Sequence, residues 1–166
     1  MNILQVVLAP FVLLLWTGWS TGAMNPNVAP KMDDPARSEV VIVRTDFGVV
    51  NLPESGKPTF VSTKEVPMIE NQGYGWIIQL ETKKPRIRWR EEFTLPSAPA
   101  TWGDRETQKN SISGDGRVSV IEREVEPEDG LISNFWSFAP GDPKGRYVIR
   151  VIIEDTLERV FEFEVK

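Results

Sequence analysis

Arg146-Tyr147-Val148-Ile149-Arg150-Val151-Ile152-Ile153-Glu154 and, after a short break, Leu157-Glu158-Arg159-Val160-Phe161-Glu162-Phe163-Glu164-Val165 are the two runs that decide the fold. In the second, Phe161, Phe163 and Val165 fall on one side of an extended chain and Glu158, Glu162 and Glu164 on the other, a period of two that buries one face and wets the other. In the first, Tyr147, Ile149, Val151 and Ile153 line one side, while Val148 and Ile152 flank Arg150 on the other, as in a strand inside a sheet. The pair is expected to form a hairpin across Asp155 and Thr156.

Working outward, six further β-rich runs are expected at 39–47, 58–66, 73–82, 86–95, 118–125 and 131–138. Turn signals separate them, among them Glu128-Asp129-Gly130 and Pro140-Gly141-Asp142-Pro143. Short strands at this spacing, without a helical period, predict an all-β antiparallel sandwich of seven to eight strands. Residues 96–116 are long, polar and turn-rich, and are expected to hold a functional loop or a single helical turn.

The stretch Trp136-Ser137-Phe138-Ala139-Pro140-Gly141-Asp142-Pro143-Lys144-Gly145-Arg146-Tyr147, with Phe161-Glu162-Phe163-Glu164-Val165 after it, resembles the closing hairpin of immunoglobulin-like domains in exported bacterial envelope proteins. In that hairpin a G-x-Y enters one strand and an F-x-F-x-V closes the sheet. The resemblance implies an immunoglobulin-like architecture and carries no catalytic residue. It also implies that Tyr147 serves as a corner tyrosine whose hydroxyl meets a nearby backbone group.

Three segments are expected: a signal peptide at 1–23, a flexible linker at 24–38 and the sandwich at 39–166. The opening 23 residues carry no charge, residues 3–16 are apolar, and Thr21-Gly22-Ala23 supplies small residues for cleavage. No Lys or Arg precedes the apolar run, so an uncleaved membrane anchor is the alternative. Residues 25–38 are rich in Pro, Asn and Asp and read as a tether. The expected location is exported, periplasmic or extracellular, with membrane contact only if the opening segment is retained.

The chain has 19 basic and 24 acidic residues, a formal charge of −5, which disfavours nucleic acid as a partner. It contains neither histidine nor cysteine, so Ser-His-Asp and Cys-His chemistry cannot be assembled and the fold must hold without disulfides. No catalytic residue, metal site or cofactor is expected. The oxygen ligands at Asp115-Gly116 and Glu128-Asp129-Gly130 read as plain turns. A carboxylate pair could be drawn from Glu91, Glu92 or Asp104, and Glu91 stands out because it interrupts the apolar face of Ile87, Trp89 and Phe93.

Two sets of residues are candidate binding positions. Arg86, Arg88 and Arg90 project from one face of a strand, either as a ladder neutralised by Glu122, Glu124 and Glu126 or as an anion site for acidic glycans. Trp76, after Gly73-Tyr74-Gly75, and Trp102, in the long loop, either present flat rings to a partner or plug the end of the sandwich. Trp89 and Trp136 are expected in the core. The functional expectation is an exported non-enzymatic domain that binds a protein or envelope component through the 96–116 loop and the sheet edges. The alternatives are a carbohydrate-binding module, and a small secreted enzyme or enzyme inhibitor.

Overall fold

The computed structural model describes residues 2–3, 39–51, 57–70, 72–103 and 110–166. Strands follow in the order β1 (Asn2–Ile3), β2 (Val40–Asn51), β3 (Thr59–Ser62), β4 (Glu65–Val66), β5 (Gly73–Thr82), β6 (Ile87–Thr94), β7 (Asn110–Ile112), β8 (Val118–Val125), β9 (Leu131–Ser137), β10 (Gly145–Ile153) and β11 (Leu157–Val165). One sheet runs β1-β9-β5-β2-β3 and the other β4-β11-β10-β6-β8-β7. Every strand pairing is antiparallel except β4 with β11. Among the described residues no helix is long and apolar enough to cross a membrane. The expected signal and linker segments lie outside the described residues apart from Asn2 and Ile3, which pair with Ser137 and Trp136.

The hairpin that opened the sequence reading is present, with Tyr147 opposite Phe163 and Ile153 opposite Leu157. Its turn centres one residue earlier than expected: Glu154 and Asp155 adopt φ of 51° and 59°, and Thr156 N donates to Ile153 O at 3.1 Å. Two left-handed residues in succession match the twist of the flanking strands. The Glu154 carboxylate holds this conformation, accepting from Arg88 N at 2.8 Å and Lys84 Nζ at 2.7 Å.

Among the described residues ten strands lie between Val40 and Val165 where seven to eight were expected, and the difference has identifiable causes. The expected run at 58–66 is two strands in different sheets, because Thr63 breaks it: its hydroxyl accepts from Glu65 N and donates to Glu65 O. β7 comes from the 96–116 loop, where Asn110–Ile112 adds to the edge of β8 in place of a helical turn. In β2 the register shifts between Ile42 and Arg44, a bulge that changes which side faces inward. Val40 and Ile42 therefore contribute to the core before it, Phe47 and Val49 after it, and Val43 is left 61% exposed.

The core between the sheets is aromatic. Phe93 sits at its centre, with ring centroids 5.2 Å from Trp136, 5.6 Å from Tyr147, 6.0 Å from Trp102 and 6.4 Å from Phe163. Phe47 stacks on Phe163 at 4.2 Å, linking the facing sheets, and Tyr74 stacks on Phe138 at 4.4 Å within its own sheet. Tyr147 Oη donates to Pro143 O at 2.5 Å, the corner contact that the resemblance implied.

Candidate functional site

Glu91 is the one fully buried carboxylate among the described residues, and it sits on the inward face of β6 between Trp89 and Phe93. Four N–H contacts converge on it from the opposite sheet. Trp76 Nε1 of β5 donates to Oε2, Trp136 Nε1 of β9 donates to Oε1 at 2.8 Å, and Asn134 Nδ2 of β9 reaches Oε1 at 3.2 Å and Oε2 at 3.1 Å. The register makes this convergence unavoidable, because Trp76 and Asn134 are direct cross-strand partners and Trp136 lies two residues along the same inward face. Burial pushes the Glu91 pKa up from the ordinary carboxylate value, and the indole and amide donors, with the Arg123 charge, pull part of the way back.

Arg123 lies on the inward face of β8, directly opposite Trp89, with its guanidinium carbon 5.9 Å from that ring. Burial lowers its pKa and the Glu91 charge raises it, so the two charges partly compensate each other across the interior. Glu91 interrupts the apolar face of its strand and Asn134 shares a side with Ile132 and Trp136, yet spacing along the chain does not join the two. Arg123 was missed, although it falls in phase with Ile121 and Val125.

Glu91 and Glu92 do not form the carboxylate pair that the sequence offered. Glu92 is adjacent in sequence and so points to the opposite face of the sheet, where it pairs with Arg90 and, at 3.0 Å, with Arg150. Asp104 lies outside the described residues. Glu91 itself has no exposure to solvent, and its oxygens are committed to N–H donors. Among the described residues no group of three or more His, Cys, Asp or Glu is placed to hold a metal. The Asp115 carboxylate instead closes its own turn, accepting from Ser113 Oγ at 2.5 Å and Arg117 N at 3.1 Å, which lowers its pKa.

The tryptophans do not present rings to solvent. Trp76 lies within β5, in the run expected at 73–82, and is 0% exposed, while Trp102 is 4% exposed. Trp102 packs edge-on to Phe93 and Trp136 and donates from Nε1 to Gly116 O at 2.8 Å, so the loop ring plugs the end of the sandwich. Of the two readings of these rings, their burial matches the plug rather than the flat platform. The reason is that Gly73 and Gly75 serve a strand: Gly75 lies opposite Phe135, where a Cβ would meet Asn134 O at 2.1 Å.

The arginine row forms a ladder on the outer face of the second sheet. Arg88 and Arg90 stand opposite Glu124 and Glu122, and Arg86 lies within 3.8 Å of Glu124 and 3.9 Å of Glu126. Arg88 pairs with Asp155 and Arg90 with Glu92, and the lattice continues through Arg150–Glu158 at 2.6 Å and Arg146–Glu162 at 2.5 Å. A small surface depression lined by Arg88, Trp89, Arg90, Glu122, Ile152 and Asp155 is therefore charge-balanced. Each arginine of the row has a carboxylate beside it, which weakens its claim as an anion site.

Residues 45–166 match the family model of the PM0630 β-sandwich domain. The chain belongs to the PM0630 β-sandwich domain family. Among solved structures, the PM0630-type chain is similar to an immunoglobulin-like protein (PA1606) from Pseudomonas aeruginosa, with 22% identity and a TM-score of 0.52. That match covers 79% of this chain and 99% of the other, and it supports the immunoglobulin-like fold. The soluble domain of PmoD from Methylocystis sp. ATCC 49242 (Rockwell) matches at 16% identity and a TM-score of 0.36, over 76% of this chain and 90% of that one. No curated protein matches the chain.

Proposed function

We propose that this PM0630-type sandwich is an exported, non-enzymatic binding domain that engages a protein of the envelope through its sheet edges and the loop end around 96–116. The observation that carries this reading is the enclosure of Glu91: the one interior acid among the described residues is sealed by N–H donors and packed aromatic rings, and so serves as a tie between sheets. The immunoglobulin-like fold supports it, since such folds commonly present binding surfaces on their edges and loops. Glycan recognition by stacking is disfavoured because Trp76, Trp89, Trp102 and Trp136 are at most 4% exposed.

Photoreactive residues introduced singly at Ser62 on β3, Ser97 in the loop and Ser133 on β9 test the reading in envelope extract with protein and glycan readout. Crosslinking of one protein from at least one position supports it. Recovery of glycan alone, or turnover of an envelope polymer by the purified chain, contradicts it.

A further inference from the structure

We propose that the paired N–H edge of Arg123, together with the indole N–H of its cross-strand partner Trp89, is a seat for a carboxylate ligand. The seat is separate from the sheet edges and the loop end assigned above, so its failure leaves that reading standing.

Three nitrogen donors of β6 and β8 are buried without an acceptor: Trp89 Nε1, Arg123 Nε and Arg123 Nη2. The two residues stand directly opposite each other, and the guanidinium carbon lies 5.9 Å from the centre of the Trp89 ring. Trp89 is 1% exposed, so its indole nitrogen has no recourse to bulk water. A buried donor without an acceptor is costly. Elsewhere the interior avoids that cost, since the indoles of Trp76, Trp102 and Trp136 each donate to an oxygen.

Arg123 is also the exception among the arginines of the described residues. Those of the outer ladder each face a carboxylate, Arg44 reaches Asp46, and Arg117 and Arg159 donate to the carbonyls of Leu95 and Glu158. Arg123 has neither an ion pair nor a hydrogen-bond acceptor among the described residues. A guanidinium keeps its proton at any ordinary pH, so burial leaves a standing cation. Glu91 lies within reach of its field, yet both Glu91 oxygens are already taken by Trp76, Trp136 and Asn134.

The unpartnered atoms name the ligand. Nε and Nη2 form one edge of the guanidinium, two parallel N–H bonds whose spacing matches the two oxygens of a carboxylate. A single positive charge suits a monoanion, whereas a doubly charged phosphate would sit near Glu91 without a second cation to balance it. Arg123 as a whole is half-buried, so its charge is felt from solvent while its binding edge is dry, the setting that strengthens a charge-assisted hydrogen bond.

The test uses the full chain with 15N-labelled tryptophan and arginine, the Trp89 indole and Arg123 Nε–H signals being assigned by Trp89→Phe and Arg123→Gln. The probe is sodium acetate, against acetamide and against sodium chloride at matched ionic strength. We expect acetate to shift both signals saturably, with roughly tenfold weaker binding in Arg123→Lys, which keeps the charge and loses the fork, and none in Arg123→Gln. The tripeptide Ala-Ala-Ala, with a free or an amidated C-terminus, distinguishes the source: tighter binding than acetate that amidation abolishes assigns the seat to a chain terminus, and binding of acetate alone assigns it to a small free acid. Equal shifts with chloride or acetamide, or acetate shifts that survive Arg123→Gln in a chain folded by circular dichroism, would overturn the proposal. So would movement of the Arg123 Nε–H signal in Asp104→Asn or Glu106→Gln without added acid, because an acid of the chain itself would then fill the seat.

Discussion

Glu91 on β6 and Trp136 on β9 are joined across the core by a hydrogen bond of 2.8 Å from the indole nitrogen to the carboxylate. With the matching bond from Trp76 and the two contacts of Asn134, this ties the two sheets by directed polar contacts within an otherwise apolar interior. A buried carboxylate is costly unless its oxygens are occupied, and here each oxygen accepts from an indole and from the shared amide.

Glu91→Gln should destabilise the domain by about 1–3 kcal/mol, because the amide replaces one acceptor with a donor that faces indole and amide N–H groups. Urea unfolding at pH 7 measures this; an unchanged midpoint would contradict the geometry.

The pH dependence follows from the direction of the Glu91 shift. Its folded pKa lies above the unfolded value of about 4.5, so the folded protein binds the extra proton more tightly in that window. The stability contributed by this group is present below the unfolded pKa and is lost as pH rises through the folded pKa. The stability difference between the parent and Glu91→Gln should thus shrink as pH rises above 4.5 and then level off. Asp115, Glu154 and Glu158 have lowered pKa values and act in the opposite sense, losing stability as pH falls, and subtracting the variant removes their contribution.

Tyr147→Phe deletes the 2.5 Å bond to Pro143 O while keeping the ring among Phe93 and Phe163. A loss of about 0.5–1.5 kcal/mol by urea unfolding is expected.

Gly75→Ala forces a methyl group within 2.1 Å of Asn134 O on the neighbouring strand. The β5–β9 pairing must open to admit it, and the melting temperature should fall, with a destabilisation of about 1–3 kcal/mol. Because Asn134 also serves Glu91, indole exchange at Trp136 should quicken in the same variant.

Arg88→Ala removes one member of an exposed, compensated lattice. Its melting temperature should stay close to that of the parent, and the residual change should diminish in high salt.

Much of the fold was legible because its strands alternate cleanly. β8 and β11 fall where the period of two placed them, and Tyr147 occupies the corner that its resemblance implied. What the pattern does not carry is which sheet a strand joins: Thr63 turns the chain from one sheet to the other within a single β-rich run. The bulge after Ile42 likewise resets the phase without any glycine or proline to announce it. The interior site was half legible, since Glu91 and Asn134 each interrupt an apolar face. Their meeting depends on cross-sheet packing that spacing along the chain does not encode. Trp76 stayed open between platform and plug because spacing along the run at 73–82 does not tell whether its ring is covered, and here Gly75 admits the close approach of β9.

The most direct test of the account is the amide and indole spectrum of the protein with 15N-labelled tryptophan, followed against pH and in deuterated solvent. The sealed tie predicts that the Trp76 and Trp136 indole protons resist exchange for hours and shift together with one carboxylate titrating above its ordinary value, and that both effects vanish in Glu91→Gln. Indole protons that exchange within minutes, or that ignore the titration, would contradict it.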